Sequence, residues 1–160
     1  MKTFISKHRK EILISLTLLW TCIIFTFSLQ PADASSELSQ GFGRWLVETF
    51  LPGFMEYMES MTQEQLDFWH HILRKCGHFT EYFILGVVAT ITVFQVKINR
   101  KMLSALGYCI LVASVDETIQ LFVSGRSGQI TDVMLDSVGA LTGVIIVWLS
   151  RKLAFTKFSH

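Results

Sequence analysis

Residues 12–29 form an eighteen-residue stretch without one charged side chain. At about 1.5 Å of rise per residue, such a run is long enough to cross roughly 30 Å of hydrocarbon. Three more runs of similar length follow, near residues 78–96, 102–123 and 130–150. Each is interrupted by only one or two acids: Glu81 in the second, Asp116 and Glu117 in the third, Asp132 and Asp136 in the fourth. A soluble bundle needs a charged stripe along each helix, and these runs have none in their middles. The sequence therefore predicts an all-α fold, a polytopic membrane helical bundle. It has four transmembrane helices in a single domain over residues 1–160, and an extracytoplasmic amphipathic helical segment within residues 30–77.

Charge agrees with this reading. Only 17% of residues are charged, against about a quarter in a soluble domain, so disorder is excluded. A net charge of +1 with no basic stripe excludes a nucleic-acid partner. Basic residues concentrate in three segments: Lys2, Lys7, Arg9 and Lys10; Lys97, Arg100 and Lys101; Arg151, Lys152 and Lys157. Four crossings put all three segments on one side, and the positive-inside rule makes that side the cytoplasm. The expected location is the cell membrane, with both termini cytoplasmic. A rival reading of the N-terminus is a cleaved signal peptide ending at Ala32-Asp33-Ala34, although the apolar run is long for one. Cys22, Cys76 and Cys109 make no disulfide framework, and no cysteine–histidine spacing of a zinc site occurs. The spacing alone assigns no metal ligand and no cofactor.

Residues 30–77 carry seven acids against Arg44, Arg74 and Lys75. Leu38, Phe42, Trp45, Leu46 and Thr49 recur at helical spacing, predicting an amphipathic helix ended by Pro52. Trp45, Phe50, Phe54 and Tyr57 suit a bilayer surface. Thr62 followed by Gln65 has the pattern of a capping box. It predicts a helix that starts near Gln63 and runs unbroken into the second span. His70 and His71, adjacent on that helix, point about 100° apart and do not chelate together.

The informative charges are those inside the spans, because each costs about 2.5 to 3.5 kcal/mol at a bilayer centre. Lys75, His78, Glu81 and Tyr82 share one helix face. So do Asp116, Glu117 and Gln120. Asp132 and Asp136 open the fourth span on one side, and Arg126 lies in the short turn before it. The topology gathers all ten in the outer leaflet. Lys75, Arg126 and His78 do not neutralise five carboxylates, so a proton, a cation or a cationic ligand is required there. A structural network holding the helices together in lipid is the alternative reading. Gly139 and Gly143 form a small-residue pair for close helix approach within the bundle, with Gly77, Gly86 and Gly107 as similar candidates.

Phe27-Ser28-Leu29-Gln30-Pro31, Lys75 through Tyr82, Asp116 through Gln120, Arg126, and Asp132 through Asp136 to Gly139 resemble the VanZ-like family. The likeness covers roughly residues 20–150 in several separated motifs. That family is named for a protein associated with teicoplanin resistance in Gram-positive bacteria. The resemblance implies an integral membrane protein of the cell envelope. Its motif positions are Lys75, His78, Glu81, Tyr82, Asp116, Glu117, Gln120, Arg126, Asp132 and Asp136. The chain departs from the family pattern at Asp136, where many relatives have Asn, which leaves the protonation of the Asp132/Asp136 pair open.

Two functions follow as expectations. One is an envelope factor that lowers susceptibility to teicoplanin or related glycopeptides. Its partners are the lipid bilayer and a cell-wall precursor, a glycopeptide or an envelope protein. The other is an intramembrane enzyme acting on a lipid-linked or envelope substrate, with Glu81, His78 and Asp116 as acid/base or metal-binding groups. No nucleophile elbow, HExxH or phosphate loop names a reaction. Transport ranks last, for want of an inverted repeat.

Overall fold

A computed structural model of the chain describes residues 8–50, 53, 56, 58 and 60–157. Its long helices are α1 (Arg9–Ser28), α2 (Ala32–Phe50), α3 (Gln63–Gln95), α4 (Lys101–Gln120) and α5 (Ile130–Lys157). Four of them, α1, α3, α4 and α5 as far as Ala154, are long and apolar enough to cross a membrane. Lipid demands this: a chain in hydrocarbon has to satisfy its own backbone groups, and the helix does so within one segment.

The distribution of side chains is that of a membrane bundle. Leu18, Leu19, Leu111, Ile146 and Leu149 lie exposed on the outside. The interior holds Ile24, Tyr82, Leu85, Cys109, Ala113 and Val144, but also Thr17, Thr90, Asp116, Glu117, Gln120 and Asp136. Outward hydroxyls are internally satisfied. Thr26 donates to the Cys22 carbonyl, Ser114 to Ile110 and Thr142 to Val138, each one turn back.

The most extensive pairing is α3 with α5, and glycines permit it. A Cβ at Gly86 would collide with the Ala140 carbonyl, one at Gly139 with that of Phe79, and one at Gly143 with that of Phe83. Residue numbers rise together along this contact, so α3 and α5 run parallel. The expected close-packing stripe is therefore present, inside the bundle. Gly77 and Gly107 do not belong to it: a Cβ at either meets nothing within 4 Å. Helix α1 joins through Thr17, whose hydroxyl is 2.8 Å from that of Thr92 on α3, and through Thr21, 2.8 Å from the Tyr108 hydroxyl on α4.

The ends of the elements differ in places from the sequence expectation. Helix α4 stops at Gln120 rather than 123, because the chain folds into a tight turn: Phe122 N–H donates to the Ile119 carbonyl and Val123 N–H to that of Gln120. Gly125 then takes a φ of 75°, a left-handed conformation that glycine adopts without penalty. Helix α2 begins at Ala32, only three residues beyond α1, and its Ala32 N–H reaches the Ser124 carbonyl of that turn. Its inward face carries the buried Gly43 and Val47, with Gly43 tight against Leu73 of α3, whereas Trp45 and Thr49 are exposed. Trp45 and Phe50 meet edge to face, centroids 6.5 Å apart. Lys2, Lys7, Pro52, Phe54 and Tyr57, and the side chains of Leu38, Phe42 and Leu46, lie outside the described residues.

Helix α3 starts where the capping pattern places it. The Thr62 hydroxyl accepts from the Gln65 amide, and the Gln65 side chain accepts from the Thr62 amide at 2.9 Å. Thr62→Ala is expected to cost the first turn of α3 about 1 kcal/mol. Amide exchange at residues 63–66 should quicken while Leu85 stays protected; unchanged exchange in that turn would show that the cap does not hold it.

Candidate functional site

The ionisable groups buried in the helices meet at one end of the bundle. That end is formed by the C-terminal turns of α1 and α4, the first two turns of α5, and the middle of α3. The opposite end gathers basic residues: Lys101 and Arg151 lie over the Phe94 ring, 5.3 and 4.1 Å from its centroid.

Two rungs tie α3 to α5. Lys75 Nζ donates to Asp132 Oδ1, and His78 Nδ1 stands 3.5 Å from Asp136 Oδ1. Lys75 and His78 are three apart and Asp132 and Asp136 four apart, so neighbouring helix faces of parallel helices present them in step. On α4, Gln120 Nε2 donates to Asp116 Oδ2 at 3.3 Å and to Glu117 Oε1 at 3.0 Å. The shared face inferred from the spacing is thus a bonded one. Ser28 of α1 donates to Asp116 Oδ1, and the Gln129 backbone amide donates to Glu117 Oε2 at 2.8 Å.

The arrangement is buried. Asp116, Glu117, Asp132 and Asp136 are buried, with Asp116 and Asp136 fully so. One potential ligand atom each of His78, Asp116, Glu117 and Asp136 lies within 4.8 Å of all the others. Among the described residues, no hydrogen-bond donor reaches either Asp136 oxygen, and the buried Tyr82 hydroxyl and His78 Nδ1 are likewise without a hydrogen bond. No lysine or arginine among the described residues forms an ion pair with Asp116, Glu117 or Asp136.

Two residues behave differently from the simple gathering of charges. Arg126 donates to the Phe27 carbonyl at 3.1 Å and so closes the C-terminus of α1 rather than pairing with a carboxylate. Burial, and then the Arg74 guanidinium, push Arg126 below its ordinary value, yet a guanidinium keeps its charge. Glu81 is half-buried on the α3 face, and Trp20 Nε1 bonds its backbone carbonyl at 2.9 Å. The imidazole of His78 faces Asp136 across the helix contact, not Glu81 along its own helix. Spacing missed Ser28 and Gln129. Ser28 had its signal in the Phe27–Pro31 motif that carries the family resemblance, not in its spacing; Gln129 acts through its backbone and gave none.

Parallel and antiparallel apolar helices around a buried acidic centre define the class: a multi-pass helical membrane protein with a polar site enclosed near one end. The chain belongs to the VanZ/LLP1 family, whose model matches residues 13–151 and so covers nearly all of it. Searches of curated proteins and of solved structures find no match.

Proposed function

We propose that the protein is a cell-envelope membrane protein of bacteria, with both termini cytoplasmic, that binds a polar envelope ligand at its outer face. Through that binding it lowers susceptibility to teicoplanin or related glycopeptides. The observation that carries the reading is the concentration of Asp116, Glu117, Asp132 and Asp136, all buried, at one end of the helices. Each carries a cost of a few kcal/mol in lipid, and a scaffold alone is built more cheaply from the threonine contacts and glycine packing seen elsewhere in the bundle. Family membership supports an envelope role, and the basic residues at the opposite end support the orientation. A site of this charge suits a ligand that presents a cationic group.

The test is expression in a susceptible Gram-positive host, with membrane abundance checked by immunoblot. The wild type should raise the teicoplanin inhibitory concentration, and Glu117→Gln at equal abundance should return it to the vector value. No change from the wild type, for teicoplanin and for a lipoglycopeptide, sinks the reading.

A further inference from the structure

We propose that His78, Asp116, Glu117 and Asp136 bind one divalent transition-metal cation, of the Zn2+ or Mn2+ kind. This names a ligand of the outer-face site and rests on the reading of that cluster as functional. Four donors on three different helices bring one ligand atom each to within 4.8 Å of one another. Atoms bound to one ion at about 2.1 Å stand about 3.4 Å apart in a tetrahedral site and at most about 4.2 Å apart in any site, so a pair at the 4.8 Å limit has to close by about 0.6 to 1.4 Å. A change of that size is within reach of side-chain rotation.

The independent observation is Asp136. Its side chain is 0% exposed, it is aimed into the cluster, and neither oxygen accepts a hydrogen bond among the described residues. A buried carboxylate so placed costs several kcal/mol unless a cation compensates it. Of the nearby cations, Lys75 is engaged with Asp132 and Arg126 with the Phe27 carbonyl, and the group that faces Asp136, at 3.5 Å, is His78, itself one of the four donors. Asp116, Glu117 and Asp136 bring three negative charges together, and no lysine or arginine among the described residues forms an ion pair with them. A divalent ion removes two of them and accepts the oxygens that have no donor.

The partners around the set match those of ligands held in place. Asp116 accepts from Ser28 and from Gln120, and Glu117 from Gln120 and from the Gln129 amide. Each carboxylate is thereby oriented while acceptor capacity remains, the usual support of metal-bound carboxylates. One imidazole with three carboxylates is a borderline donor set. The nitrogen disfavours Ca2+ and Mg2+, and the absence of thiolate disfavours Cu+.

The test uses the full chain, purified in detergent, stripped with chelator, incubated with micromolar ZnCl2 or MnCl2, desalted, and measured for metal by mass spectrometry. The wild type should retain about one ion per chain. Asp136→Asn and His78→Gln should each weaken retention about tenfold or more, at unchanged helix content and elution volume. Glu48→Gln, in the exposed ion pair with Arg44 on α2 and away from the cluster, should retain the ion. Wild-type protein that retains neither metal above a heat-denatured control overturns the proposal, whatever the variants do. So does retention unaffected in both folded Asp136→Asn and His78→Gln. The readout is independent of drug susceptibility: metal bound without a teicoplanin phenotype would defeat the resistance reading alone, and a phenotype without metal would defeat this one alone.

Discussion

Replacing Gly143 by leucine should leave little folded protein in the membrane, whereas Gly107→Leu should be tolerated. A Cβ at 143 meets the Phe83 carbonyl and the backbone nitrogen of Val87, while one at 107 meets nothing within 4 Å. Backbone cannot rotate aside as a side chain does, so even alanine at 143 should cost about 1 to 3 kcal/mol by overpacking. Leucine at this position adds to that by prising α5 from α3. Thermal unfolding in detergent, followed by far-UV circular dichroism, separates the two variants. Equal melting curves for Gly143→Leu and Gly107→Leu would mean that the α3–α5 contact is not built as described. Gly139→Leu should do further harm, because Gly139 rests on the Phe79 carbonyl, one residue from His78 and one turn from Asp136. Moving that contact apart also moves the site apart.

Lys75→Met should be the most damaging single charge change, and a second substitution should repair it. The Lys75 side chain is 24% exposed and that of Asp132 7%. Removing the ammonium leaves a largely buried carboxylate without its cation, a change that costs about 3 kcal/mol. Removing the charge from both partners, as in Lys75→Met/Asp132→Asn, takes away that penalty, so the double variant should recover most of the lost stability. Unfolding of the two single variants and the double variant in one detergent gives the coupling directly. A double variant as unstable as the sum of the singles would show that the two residues do not act as a pair.

Much of this fold could be read without coordinates, and the reasons are local. Charge-free length marks a span, and the Thr62–Gln65 pair marks the start of α3, because both depend on neighbours in sequence. The site was half legible. Topology alone brings Lys75, His78, Asp116, Glu117, Asp132 and Asp136 to one end, and spacing puts Gln120 on the face of both α4 acids. What could not be read is which groups touch. His78 has Glu81 three residues along its own helix, yet it faces Asp136, because glycine at 139 draws α5 close. Arg126 has Asp116, Glu81 and Glu117 in its neighbourhood, yet it donates to a carbonyl, because the short turn holds it over the end of α1. The Gln129 contact is made by a main-chain amide, which every residue but proline possesses, so no side-chain pattern announces it. The early start of α2 escaped as well, since its Ala32 amide is held by the Ser124 carbonyl of a turn about ninety residues away in sequence.

Helix α3 is a single rod of 33 residues, about 50 Å long, and the apolar layer accounts for only about 30 Å of it. Near its N-terminal end Gly43 of α2 packs against Leu73, and no proline interrupts the helix between 63 and 95. Lys75, His78 and Tyr82 thus sit on the shaft of one stiff rod whose N-terminal arm, residues 63–74, extends past them. A tilt of that arm is a tilt of the site's α3 wall. The α4 and α5 walls, by contrast, are joined to each other by the short turn at residues 121–129. The stiffness of one uninterrupted helix makes the geometry of the buried centre answerable to forces applied outside it.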